Sequence, residues 1–224
     1  MVIVWVLLAL LGGLAFLAYF SILRLRMPLE PALSPGDLSA ARDPEYFERR
    51  QEVFAMHGYR PAGDFFWHEG LTSVAMRIFL AEDGHSYAWA IEQAMAGVDR
   101  PRHSVSVMSV FPDGTVLDTT SAEQGSLLDP PWFLRAVVAE DTGAILRRHR
   151  ERREEMLRAG KELVRVREED LPETIRRQER RLGEYQVEKG RMRLADGKLR
   201  FTPAGALRVF LRALGRLFMR SGRR

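Results

Sequence analysis

Thr72-Ser73-Val74-Ala75-Met76-Arg77-Ile78-Phe79-Leu80-Ala81, then Glu82-Asp83-Gly84, then Ser86-Tyr87-Ala88-Trp89-Ala90-Ile91-Glu92-Gln93-Ala94-Met95 is the stretch that decides the fold. Its large apolar residues recur at every second position, the side-chain period of a strand and not of a helix. Thr72, Val74, Met76, Ile78 and Leu80 share one face of the first segment. Tyr87, Trp89 and Ile91 share one face of the second, opposite small residues. Glu82-Asp83-Gly84 reads as the hairpin turn between them, with glycine supplying the positive φ.

The same period extends outward to five expected strands, at 65–68, 72–81, 86–95, 103–111 and 115–120. Glu69-Gly70 and Pro112-Asp113-Gly114 are further turns, and the link 96–102 is longer and looser. Short turns between consecutive strands predict an antiparallel meander. Asp43-Pro44 caps a helix that runs through Val53, Phe54 and Met56 to a stop at Gly58, with Phe47, Val53, Phe54 and His57 on one face. Asp129-Pro130-Pro131-Trp132 repeats that logic and predicts a long charged helix. Val138, Ile145, Met156 and Leu163 recur along it near helical spacing, and Pro172 ends or kinks it. Residues 184–201 form a last hairpin around Ala195-Asp196-Gly197. The expected fold class is therefore α+β, with flanking helices covering the apolar face of the sheet.

Residues 1–23 carry no charged side chain. About 20 apolar residues in a helix match the thickness of a bilayer core, and such a helix satisfies its own backbone bonds in lipid. A cleaved signal peptide would have a positive n-region, a shorter apolar core and a small-residue cleavage site, and none is present. The expectation is a retained transmembrane anchor over 1–23 and a proline-rich linker over 24–44. An α+β domain with its helical extension then covers 45–183, and a hairpin with a basic amphipathic helix covers 184–224. Arg24 and Arg26 follow the apolar run directly, so the N-terminus is expected outside and the soluble part in the cytoplasm. That makes the expected location the plasma (inner) membrane. The lack of cysteine fits a reducing compartment.

Thr202-Pro203 opens the last helix, in which Arg208, Arg212, Arg216 and Arg220 fall four apart. Phe210, Leu214 and Phe218, with Leu207, Val209, Leu211 and Leu217, fill most of the remaining circumference. A wide apolar face beside a narrow arginine stripe describes a helix lying in a membrane interface, and the lipid bilayer is its expected partner. Packing of the same helix on the domain with its arginines in water is the alternative.

The residues that could carry chemistry are dispersed. His57, His68, His85, His103 and His149 form no H-x-x-x-H or H-E-x-x-H pattern, and no thiolate could help them. His68 and His85 with Glu69 and Asp83 are the one conceivable imidazole–carboxylate set. His149 reads as a packing histidine. Ser104, Ser106, Ser109 and Ser121 lack a nucleophile elbow. The arginine-rich runs at 147–153 and 176–181 are interleaved with Glu151, Glu154, Glu155 and Glu179, as on a solvated face. With 34 basic against 30 acidic residues and no aromatic stacking platform, nucleic acid is not an expected partner. No cofactor or metal is expected, and a small-molecule ligand is not specified.

The run Ser109-Val110-Phe111-Pro112-Asp113-Gly114-Thr115-Val116-Leu117-Asp118-Thr119-Thr120 resembles a pattern in a group of bacterial single-pass membrane-anchored α+β proteins of unknown activity. Leu146 and His149 on the long helix, and Phe201-Thr202-Pro203-Ala204-Gly205-Ala206, extend the resemblance. It implies the same architecture and carries no activity with it. The functional expectation is a membrane-anchored, non-enzymatic interaction or sensing module with a protein partner. The alternative is a membrane-associated hydrolase or lipid-modifying enzyme.

Overall fold

The structure is a computed structural model that describes residues 13, 15–30, 33–69, 72–122, 129–139 and 141–221. Residues 1–12 and 14, the greater part of the expected anchor, lie outside the described residues. Helix α1 covers 15–24. It is followed by β1 (Arg26–Pro28), α2 (Pro44–Met56), β2 (Tyr59–Glu69), β3 (Thr72–Ala81), β4 (Tyr87–Met95), β5 (Arg102–Val110), β6 (Val116–Thr120) and β7 (Phe133–Val137). Then come α3 (Thr142–Arg158), α4 (Leu171–Glu188), β8 (Met192–Ala195), β9 (Lys198–Phe201) and α5 (Pro203–Ser221). Among the described residues no helix is long and apolar enough to cross a membrane.

The chain divides into two compact units, Ala32–Ile175 and Met1–Pro31 with Arg176–Arg224. The first is an α+β domain on a mixed six-stranded sheet, in the order β2-β3-β4-β5-β6-β7. The five expected strands are its first five members, each antiparallel to the next. Ile78 stands opposite Trp89 and Leu80 opposite Tyr87, so the two large-residue faces read from the sequence are one face of the sheet.

The helices pack on the other face. Ala75, Phe79, Ala88, Ala90, Val105 and Val107 form its core with Tyr46, Phe47 and Phe54 of α2 and Ile145 and Leu146 of α3. Alanines on the central strand let the helix axes approach, and the Phe54 ring stacks on Phe79 at 4.2 Å between centroids. Each such ring contributes about 1.5–3 kcal/mol by burial. Buried Glu92 sits on the same face and accepts the Arg42 and Asp43 backbone N–H groups, each at 2.8 Å, which pins the entry to α2. Asp43 caps that helix as expected, accepting from Tyr46 N.

Two helix expectations differ from the structure. The helix expected from Asp129-Pro130-Pro131 is replaced by β7, which pairs parallel with β6. All five residues of β6 are buried, so both of its backbone edges need partners, and β7 supplies the second set. Val116 N then donates to Trp132 O and Val138 N to Thr120 O, each at 2.8 Å. Helix α3 starts later, capped by Asp141, which accepts from Ala144 N at 2.9 Å. Pro172 does not kink a long helix. It is the second residue of α4, where a missing N–H removes no helical bond. Within the proline-rich stretch, Leu33 and Leu38 are buried and Gly36 N donates to Asp64 O, so this segment follows the outer edge of β2.

The second unit holds a three-stranded antiparallel sheet, β1-β9-β8, whose hairpin turns at Asp196-Gly197 as expected. Thr202 caps α5. Its hydroxyl accepts from Gly205 N at 3.0 Å and lies 2.8 Å from the Gly190 carbonyl oxygen. The Arg180 guanidinium holds Glu30 at 2.7 Å, and Gly183 leaves the space that Leu29 and Leu199 occupy.

Candidate functional site

Two places in the chain combine unusual exposure or unusual burial with chemistry. The first is the helical surface of the Met1–Pro31 and Arg176–Arg224 unit. On α1, Phe16 and Leu17 are each 62% exposed, and the Phe16 ring stacks on Phe20 at 5.8 Å. The Arg24 guanidinium covers the Phe20 ring at 4.5 Å. On α5, Leu207 and Leu211 are exposed, as are Arg208 and Arg212. The two helices meet where the Tyr19 ring lies edge-on to Phe210 at 6.3 Å and the Tyr19 hydroxyl donates to Pro203 O at 3.3 Å. Phe210 is therefore half-buried between helices, while its neighbours Leu207 and Leu211 are open. Leu214, Arg216, Phe218 and Arg220 continue the α5 backbone, and their side chains lie outside the described ones.

The second place is in the sheet domain, under α3. His149 is 2% exposed, and both its ring nitrogens are bonded, Nε2 to Ser109 Oγ at 3.0 Å and Nδ1 to Thr119 Oγ1 at 3.1 Å. Arg152 completes the cluster, donating to Thr119 Oγ1, Asp118 O and Leu134 O. Burial, with Arg152 and Arg153 beside the ring, pulls the imidazole down to about 3. Ser109 Oγ donates its own proton to His85 O at 2.9 Å. The His149 ring therefore takes no proton from Ser109, and the pair is not set up for nucleophilic attack. Asp118, on the opposite face of the sheet, is fully buried against Arg135 at 2.6 Å and Ser106 at 2.9 Å. Burial pushes its carboxyl up against the pull of Arg135.

Beside His149 a cavity of about 220 Å³ opens between the end of α2, the β3–β4 turn and α3. His57, Tyr59, Ser86, Asp83, Arg150 and Arg153 line it. Tyr59 and Ser86 share a hydrogen bond of 2.7 Å on its wall. Desolvation, then Arg150 and Arg147, lower the His57 pKa.

The conceivable set of His68, His85, Glu69 and Asp83 is not brought together. His68 pairs with Ser73 at one end of β3, whereas His85 lies in the turn beyond Ala81 at the other. Among the described residues no three His, Asp or Glu side chains are placed to hold a metal ion. His103 stacks on Tyr46 at 4.0 Å and lies 3.5 Å from Glu92 and 3.7 Å from Asp43, on the network that fixes α2.

Arg147–Arg153, expected to be one solvated run, is divided in the structure. Arg148 takes Glu151 at 3.0 Å and Glu155 at 4.0 Å, while Arg150 and Arg153 line the cavity and Arg147 lies nearby. The signal was present as cations at i, i+3 and i+6, but nothing in the linear chain shows that 57–59 and 81–86 lie opposite them.

Comparison of the chain with protein-family models, with curated proteins and with solved structures gives no match.

Proposed function

We propose that this chain is a single-pass membrane protein whose Ala32–Ile175 domain serves as an interaction or sensing module at the bilayer surface. The observation that carries the reading is the Tyr19–Phe210 contact. It joins the helix that continues the uncharged segment 1–23 to the arginine-bearing helix α5, with Phe16, Leu17, Leu207 and Leu211 all left open. Apolar side chains of that size on two adjoining helices, with Arg24, Arg208 and Arg212 beside them, suit a lipid surface of negative charge. The arginines flanking the apolar segment favour a cytoplasmic domain and an N-terminus outside. The alternative of a membrane-associated hydrolase draws no support from the His149–Ser109 pair, whose serine proton is committed to His85 O.

The test is a pair of reporter fusions after Arg224 of the full chain, one active only in the cytoplasm and one only after export, with alkaline extraction of the membranes. Cytoplasmic activity from a chain that resists extraction is expected. Export activity, or a chain released by alkali, overturns the reading.

A further inference from the structure

The cavity beneath α3 lies wholly within Ala32–Ile175 and does not depend on the membrane reading. Its charge pattern is unbalanced in a specific way. Arg150 lines it, and Arg147 sits one turn earlier on the same helix; neither has a carboxylate within ion-pair distance among the described residues. Arg147 and His57 converge near Gly143, where a Cβ would lie 3.2 Å from Asp141 Oδ1, 3.4 Å from Arg147 Nη1 and 3.8 Å from His57 Nε2; Asp141 Oδ1 is taken by the Ala144 N–H. Arg153 holds Asp83 through Nη1 at 3.3 Å, but its Nε is buried without a hydrogen-bond acceptor among the described residues. A buried guanidinium N–H without an acceptor costs free energy, and an incoming oxygen would restore it. Tyr59 and Ser86 share one hydrogen bond, so whichever donates, the other keeps a hydroxyl proton to offer.

The donors thus outnumber the acceptors at one end of a small, half-open polar cavity. Acceptors stand at its rim. Asp83 is occupied by Arg153 and by the His85 backbone N–H at 2.8 Å, and Glu82 stands beside it. A carboxylate ligand offers two oxygens on one plane. A phosphate group offers three, tetrahedrally, at twice the charge, which suits guanidinium groups and a hydroxyl arriving from different sides. A volume of about 220 Å³ admits a small ester and no larger nucleotide.

We infer that this cavity binds a small phosphate monoester, with Arg150, the Arg153 guanidinium and the Tyr59–Ser86 hydroxyl pair on the phosphate oxygens and Glu82 at the rim toward the alcohol portion. The ester could be a free metabolite or a lipid headgroup, and the recognising chemistry is the same.

The test titrates the full chain in neutral detergent with inorganic phosphate, glycerol phosphate and sulfate by calorimetry. A parallel titration uses vesicles containing phosphatidic acid. Arg150 is exposed and bears no structural partner among the described residues, so Arg150→Gln folds as the parent does, checked by circular dichroism. The expected result is glycerol phosphate binding that exceeds sulfate binding at least tenfold, falls at least tenfold in Arg150→Gln, and is largely restored in Arg150→Lys. Arg208→Gln, on α5, leaves it unchanged. The same Arg150 dependence seen only with phosphatidic acid supports the site and assigns the ester to a lipid. Binding that ignores Arg150→Gln, sulfate binding equal to phosphate ester binding, or no response to any probe overturns the inference.

Discussion

Ser109 Oγ gives its proton to the His85 carbonyl oxygen 2.9 Å away, and so receives one from His149 Nε2 at 3.0 Å. This fixes the imidazole as the Nε2–H tautomer. Nδ1 accepts from Thr119 Oγ1, which accepts in turn from Arg152 Nη1 at 2.9 Å. Protonating the ring would set a second N–H against a hydroxyl already oriented by a guanidinium, on a ring only 2% exposed.

Acid should therefore weaken the sheet domain through His149. Its folded pKa, about 3, lies below the ordinary 6.5, so the unfolded chain binds a proton that the folded chain refuses. The stabilisation is complete above about 6.5 and is lost as pH falls toward 3. The slope from this one proton approaches about 1.4 kcal/mol per pH unit. Urea midpoints measured from pH 7 to 4 should fall less steeply in His149→Gln than in the parent. His57, also lowered by burial and by Arg150 and Arg147, titrates in the same sense in both proteins and cancels from the comparison. Equal slopes would show that the His149 ring is not held neutral.

Glu92 should matter more than its position on an alanine-rich strand suggests. Its carboxylate accepts two backbone N–H groups that precede α2, and it is 2% exposed. Glu92→Ala takes the acceptor from both part-buried donors, at roughly 1 kcal/mol each. Glu92→Gln keeps one oxygen and should cost about half as much. Hydrogen exchange at Arg42 and Asp43 should accelerate in both variants. Slow exchange at those amides in Glu92→Ala would mean that another group caps them.

The strands and turns of 72–120 were legible because Glu82-Asp83-Gly84 and Pro112-Asp113-Gly114 punctuate a period of two, and no helix accommodates that pattern. The first half of β2 was not, since Pro61 and Gly63 read as breakers; on an edge strand Pro61 costs no ladder bond, and the register shifts between Pro61 and Gly63. β7 was hidden for another reason. Phe133–Val137 is a five-residue segment with Arg135 at its centre, and its identity depends on the buried edge of β6, a partner 17 residues earlier at Arg135 to Asp118. The cavity was least legible, because it joins α2, a hairpin turn and α3 only after the sheet has formed. The start of α5 over Phe201–Ala206 was legible as cap chemistry: Thr202 caps the helix, Pro203 starts it, Gly205 meets a carbonyl and Ala206 is fully buried.

That carbonyl makes Gly205 sensitive to a single methyl group. A Cβ built there would collide with Arg191 O and lie 2.7 Å from the Arg191 carbonyl carbon. Backbone on both sides cannot move without breaking the Thr202 N–H bond to Arg191 O at 3.0 Å. Gly205→Ala should cost about 1–3 kcal/mol, as overpacking does, despite the better helix propensity of alanine. Exchange protection should fall at β8 and β9 and persist at β3–β5. Unchanged protection at β8 and β9 would show that α5 can start elsewhere.

The apolar side of α5 can be read directly, because the chain contains no cysteine and any introduced one is unique. Leu211→Cys places a nitroxide label on an exposed position of α5. In vesicles of mixed anionic lipid, the label at 211 should become accessible to oxygen and shielded from a water-soluble relaxing agent. Each arginine beside an anionic leaflet contributes about 1 kcal/mol, so Arg208→Glu with Arg212→Glu should return the 211 label to water, as should raising the salt. A 211 label that stays in water on anionic and neutral vesicles alike would place α5 away from the bilayer, leaving the uncharged segment 1–23 as the chain's sole expected hold on the membrane.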